Sequence, residues 1–130
     1  MTQPRTRALV LFAHGARAAG WAAPFERLRD ALQAQLPDTP VRLAFLELME
    51  PRLPEAIDAL VADGVADLTI VPVFLGRGGH LLRDLPALAD GIRTRHPSLG
   101  LHVAGAIGED PQVQAAMADY CRRSLGGTVG

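Results

Sequence analysis

The sequence predicts an α/β fold, a three-layer sandwich in which a mostly parallel sheet of about four strands is flanked by helices. Two observations predict it. Short apolar runs recur as RALVLFA (7–13), VRLAFLEL (41–48), DLTIVPVFL (67–75) and, more weakly, LHVAGAI (101–107), as expected for strands buried on both faces. Between them lie stretches with the apolar spacing of helices, long enough for right-handed crossovers between parallel strands. With 130 residues, 48% of them hydrophobic, the chain can bury a core as a single domain spanning 1–130.

The elements follow in order. After the first strand, Phe25, Leu28, Leu32 and Leu36 mark one helical face, and Pro37 and Pro40 bracket the turn that follows. Pro54 suits the first turn of a second helix carrying Ile57, Leu60 and Val61, and Gly64 stands where a C-terminal glycine is expected. Pro72 removes a ladder bond from the third strand, which predicts an edge or a bulge there. Leu85, Leu88, Ala89 and Ile92 define a third helix, which Pro86 predicts to begin a few residues after His80 and which Pro97 and Gly100 close. Cys121, the single cysteine, falls in a last helical stretch and is expected to be a buried structural thiol.

Composition narrows the function. The formal net charge is -1, which provides no electrostatic footprint for nucleic acid or an acidic membrane. All 13 basic residues are arginine, so Schiff-base chemistry and a Walker-type lysine are excluded. No apolar run approaches a membrane span and no signal peptide opens the chain, which predicts a cytoplasmic protein.

Ligands of open parallel sheets bind beyond the carboxyl ends of the strands, so position selects the candidates. His14 follows the first strand, Glu47 ends the second, and His80 follows the third within the loop GRGGH. Imidazole and carboxylate can each ligate a divalent metal or accept a proton near neutral pH. Gly78 and Gly79 would let backbone approach a ligand closely. Arg17, Arg52, Arg77 and Arg83 lie in or beside the same loops, where guanidinium groups could take carboxylates bidentately. Trp21 is placed to wall a cleft or join a contact between copies, while His96 and His102 are expected to be structural or solvent-facing.

The segments LFAHGAR, FLELMEP and IVPVFLGRGGHLLRDLP, in this order, resemble the small-form class II chelatases called CbiX. The third segment is the most specific, because it joins strand, loop and helix in one signature. The resemblance implies a chelatase-like half-domain that inserts cobalt or iron, with nickel possible, into sirohydrochlorin for siroheme or cobalamin. It implies that His14 and His80 bind metal and accept pyrrole protons, with Glu47 as acidic partner. Arg17, Arg77 and Arg83, with Gly78 and Gly79, would face a sirohydrochlorin-type tetrapyrrole. No organic cofactor is expected, and a single domain where longer relatives hold two implies a homodimer. Ala16 stands where the family commonly has serine. Alternatives are a non-catalytic metal or tetrapyrrole carrier and a histidine-dependent phosphatase. The latter usually carries an arginine just before the histidine, where this chain has Ala13.

Overall fold

The chain alternates strictly between strand and helix through its first seven elements. In the computed structural model, residues 6–76 and 78–126 are described, with only the backbone described from 79 to 83. The order is β1 (Arg7–Ala13), α1 (Ala23–Gln35), β2 (Val41–Phe45), α2 (Leu53–Ala62), β3 (Asp67–Pro72), α3 (Gly79–Arg95), β4 (Gly100–Val103), a 3-10 turn (Ile107–Glu109) and α4 (Pro111–Leu125). The four strands form one sheet in the order β2-β1-β3-β4, every pair parallel.

β1 is interior, and its apolar run serves both faces at once because successive side chains point opposite ways. Val10 and Phe12 enter a core with Leu53, Ile57 and Leu60 of α2 and Leu85 and Ile92 of α3. Leu11 and Ala13 enter a second core with Leu43 and Phe45, closed by Phe25, Leu28 and Leu32 of α1. The layers are therefore α2 with α3, the sheet, and α1.

Local chemistry sets the element ends. Gly64, at φ 96°, follows α2 in the left-handed conformation. There Val65 N donates to Leu60 O at 3.1 Å and Gly64 N to Val61 O at 3.0 Å, the two bonds of a Schellman stop. The carboxylate of Asp110 accepts from Gln112 N and Val113 N and opens α4, whose first residue is Pro111.

Three sequence expectations are corrected. Pro72 lies neither at an edge nor in a bulge: it ends an interior strand, past Ile70, the last β3 residue paired with β4. Its missing N–H therefore costs no ladder bond to β4. α3 starts at Gly79 and keeps Pro86 inside, so the proline interrupts the helix's bonding without delaying its start. Cys121 is exposed, because α4 buries none of its side chains. Strands two, three and four also end three or four residues before their apolar runs do, since those last residues form the rim loops.

Candidate functional site

From β1 the chain crosses to β2 on one side and later to β3 on the other, so the sheet's switch point lies between β1 and β3. The loops leaving the carboxyl ends part there and leave room for a ligand. His14 stands at this point, directly after Ala13.

The loop after β2 brings Glu47 to it. Leu46 N donates to Ala13 O at 2.8 Å, continuing the ladder one residue beyond β2. The chain then folds back on itself, with Met49 N donating to Glu47 O at 2.8 Å and Phe45 N to Pro51 O at 2.9 Å. Leu48 adopts φ 68°, a left-handed conformation uncommon for a residue with a branched side chain. Gly15 makes the approach possible: a Cβ there would lie 1.8 Å from Glu47 O and 3.2 Å from Met49 Cγ. What it admits is the Glu47 carbonyl.

The two side chains meet. His14 Nδ1 lies 3.1 Å from Glu47 Oε1, and because an ionised carboxylate only accepts, the Nδ1–H donates to it. This fixes the tautomer with the lone pair on Nε2. The His14 ring stands edge-on to Phe74, with centroids 4.6 Å apart and planes at 80°. Trp21 Nε1 donates to His14 O at 2.8 Å, and its ring leans on Phe25 at 5.8 Å. Backbone, ring and Nδ1 of His14 are thus all held, while its side chain remains 52% exposed. Glu47 Oε2 is buried and, among the described residues, has no hydrogen-bond partner. A buried carboxylate oxygen left this way is costly unless a cation or donor completes it, so the pair suits a divalent metal or a transferred proton.

Phe74 is itself braced. Gly108 N donates to Phe74 O at 2.9 Å, and a Cβ on Gly108 would fall 2.3 Å from Leu75 O, so the 3-10 turn presses directly on the loop after β3. Neither Phe74 nor Gly108 was foreseen from sequence. Phe74 acts through its ring and Gly108 through a backbone contact, each with a partner distant along the chain, which no local pattern announces.

Arg17 lies exposed in the segment after His14. Arg52, exposed, donates from Nε to Leu46 O at 3.0 Å, bracing the Glu47 loop. Gly78 opens α3, with nothing within 4 Å of where its Cβ would stand. Arg77 lies outside the described residues, as do the side chains of His80 and Arg83; the backbone of Gly79 and His80 forms the first turn of α3. Among the described residues, no three metal-ligating side chains gather, so the described centre is the pair His14 and Glu47. Leu48 and Leu75 flank it, 53% and 75% exposed. A cavity of about 600 Å³ between α2 and α3 is lined by Leu46 and Arg52 but by neither member of the pair. The site is an open rim.

The two other histidines are as expected. His102 is exposed on β4, and His96 donates from Nε2 to Asp58 Oδ1 at 2.7 Å, joining α3 to α2.

Comparison with known proteins places this arrangement. The chain is 32% identical over 81 residues, 62% of its length, to the sirohydrochlorin cobaltochelatase of Methanococcus aeolicus. That match covers 57% of the relative. A crystal structure of the CbiX protein from Marinobacter aquaeolei VT8 superposes with a TM-score of 0.81 at 30% identity, covering 92% of this chain and 97% of that one. SirB from Bacillus subtilis with Fe3+ superposes at 0.77 and 26% identity over 95% of this chain and 48% of that one. The CbiX family matches residues 8–124, nearly the whole described fold with both loops that carry His14 and Glu47, and the chain belongs to that family.

Proposed function

We propose that the chain is a metal chelatase that inserts cobalt or iron into sirohydrochlorin, for siroheme or cobalamin, and that His14 and Glu47 form half of its site. The observation that carries this is the His14 and Glu47 pair at the sheet's switch point, with Nε2 and a buried Oε2 left to bind. Support comes from the sirohydrochlorin cobaltochelatase of Methanococcus aeolicus and from SirB with Fe3+.

The reaction exchanges two pyrrole protons for one divalent ion. His14 offers Nε2 to the metal, and the carboxylate on Nδ1–H makes that nitrogen more basic and fixes its direction. Glu47 Oε2 supplies the second donor and a proton acceptor. His80, in the first turn of α3, contributes the second imidazole. So few protein ligands leave positions for the incoming pyrrole nitrogens, as catalytic metal sites require. Leu48 and Leu75 offer an apolar rest for the macrocycle. Arg17, Arg77 and Arg83 take its carboxylates, and Gly78 and Gly79 let it lie close to the backbone. Nickel is a competing substrate by ligand type. The chain uses no organic cofactor, works as one domain over 1–130 in the cytoplasm, and pairs with a second copy. No helix among the described residues is long and apolar enough to cross a membrane.

The test is turnover. Under anaerobic conditions, sirohydrochlorin and cobalt in large excess over protein should be converted over many cycles, followed by absorbance. A single stoichiometric burst would identify a carrier instead.

A further inference from the structure

After His14 the chain turns back on itself before α1 begins. Gly20, at φ 83°, takes a left-handed conformation that a side chain would oppose, and Trp21 N donates to Ala18 O at 3.3 Å. This turn returns the single tryptophan of the chain to His14, where its Nε1–H donates to the backbone carbonyl at 2.8 Å. Phe25, in the first turn of α1, supports the indole at a centroid distance of 5.8 Å.

Held by its nitrogen and by Phe25, the indole is nonetheless 40% exposed. Its one donor is already used, so what it presents outward is hydrocarbon. Leu48, beside Glu47, and Leu75, beside Phe74, are exposed on the loops after β2 and β3. Each of the three loops that follow β1, β2 and β3 thus exposes one large apolar side chain near the pair His14 and Glu47. Apolar groups gathered in this way around polar ligands mark a surface that a ligand covers. The occupant follows from the metal. An ion taken by His14 Nε2 ends at the centre of the macrocycle, which must then spread over the apolar groups around that nitrogen.

We propose that Trp21 is a substrate-contacting residue, a fixed aromatic wall on which the face of the tetrapyrrole stacks. This rests on the chelatase reading above and names a residue by which that site recognises its macrocycle. Aromatic rings attract one another in offset and edge-on arrangements, and a ring already locked by a hydrogen bond loses little freedom when a ligand meets it. The same hydrogen bond gives Trp21 a second effect, on His14, and the two are separable because stacking needs only the ring.

The experiment joins spectroscopy to substitution, on the full chain with metal-free sirohydrochlorin. One tryptophan gives one indole N–H resonance in a proton and nitrogen correlation spectrum. The ring current of a stacked macrocycle should shift it further than the backbone amides of Ile57 and Leu60, buried in α2. The dissociation constant, read from tetrapyrrole absorbance, should rise about tenfold in Trp21→Leu and much less in Trp21→Phe, which keeps a ring. Circular dichroism should show both variants folded. An indole resonance that stays in place at saturating tetrapyrrole, or equal affinity in wild type and Trp21→Leu, overturns the contact. A resonance that moves on dilution and not with tetrapyrrole also overturns it, by making Trp21 a contact between copies. Equal losses of cobalt insertion in both variants at unchanged tetrapyrrole affinity would reduce Trp21 to a support for His14 and overturn the stacking. A wild-type chain that binds no sirohydrochlorin overturns the chelatase reading itself.

Discussion

His14 is held at three places by partners that only the fold brings to it. Trp21 bonds its backbone, Phe74 meets its ring, and Glu47 holds its Nδ1. The histidine of LFAHGAR was legible as a rim candidate because it ends an apolar run where a parallel strand must turn. The role of Gly15 was not, since the Glu47 carbonyl it admits lies 32 residues further along and no periodicity reports so local a contact. Gly15→Ala should be felt twice. A methyl group 1.8 Å from a carbonyl oxygen cannot be accommodated without moving one of the two loops. Overpacking of this kind costs about 1–3 kcal/mol, which a denaturant midpoint will report. Because the movement separates His14 from Glu47, metal insertion should fall further than stability does. Unchanged stability and rate would show that the loops need not touch.

At the scale of elements, the faces of the second and third helices were read correctly, since burial leaves a periodic mark, whereas Leu36, expected on the face of the first, lies just past α1 and is 38% exposed. Ile57 and Leu60 of α2 and Leu85, Ala89 and Ile92 of α3 are all buried. Strand ends were overrun, because the rim loops keep the apolar residues of the strands they follow: Leu46 and Leu48 after β2, Phe74 and Leu75 after β3. The tie between α2 and α3 was not foreseen at all. Asp58 accepts from His96 at 2.7 Å and from Arg95 at 2.7 Å. The His96 hydrogen bond, aided by the Arg95 charge and opposed by partial burial, holds the Asp58 carboxyl below its usual 3.8. A carboxyl with a lowered folded value stabilises the fold above its unfolded value, and that contribution is lost as pH falls through the folded one. Asp58→Asn should therefore lower the melting temperature by a few degrees at neutral pH, for a pair worth about 1 kcal/mol or less. The difference from wild type should shrink as pH falls below the ordinary carboxylate range and through the lowered folded value of Asp58. A constant difference down to pH 2 would mean that the carboxylate charge contributes nothing.

For the molecule as a whole, the sheet order β2-β1-β3-β4 turns three distant loops into one rim. This much was visible in the sequence, because alternating strands and helices leave few topologies and His14, Glu47 and His80 each follow a different strand. The exposure of α4 was not visible: it reads as an ordinary helical stretch, and only the finished fold shows that none of its side chains is buried. The central claim is that the rim with the His14 and Glu47 pair hands a metal to a tetrapyrrole. Its most direct test is the anaerobic initial rate of cobalt insertion into sirohydrochlorin for wild type, His14→Ala and Glu47→Gln, with tetrapyrrole binding measured alongside. Loss of a metal ligand and proton acceptor should slow His14→Ala by about 10²–10⁴. Glu47→Gln should slow by about 10–100-fold, as when the carboxylate behind a metal-binding histidine is removed. Both should keep tetrapyrrole affinity near that of wild type. A His14→Ala variant that inserts cobalt at the wild-type rate would contradict the account.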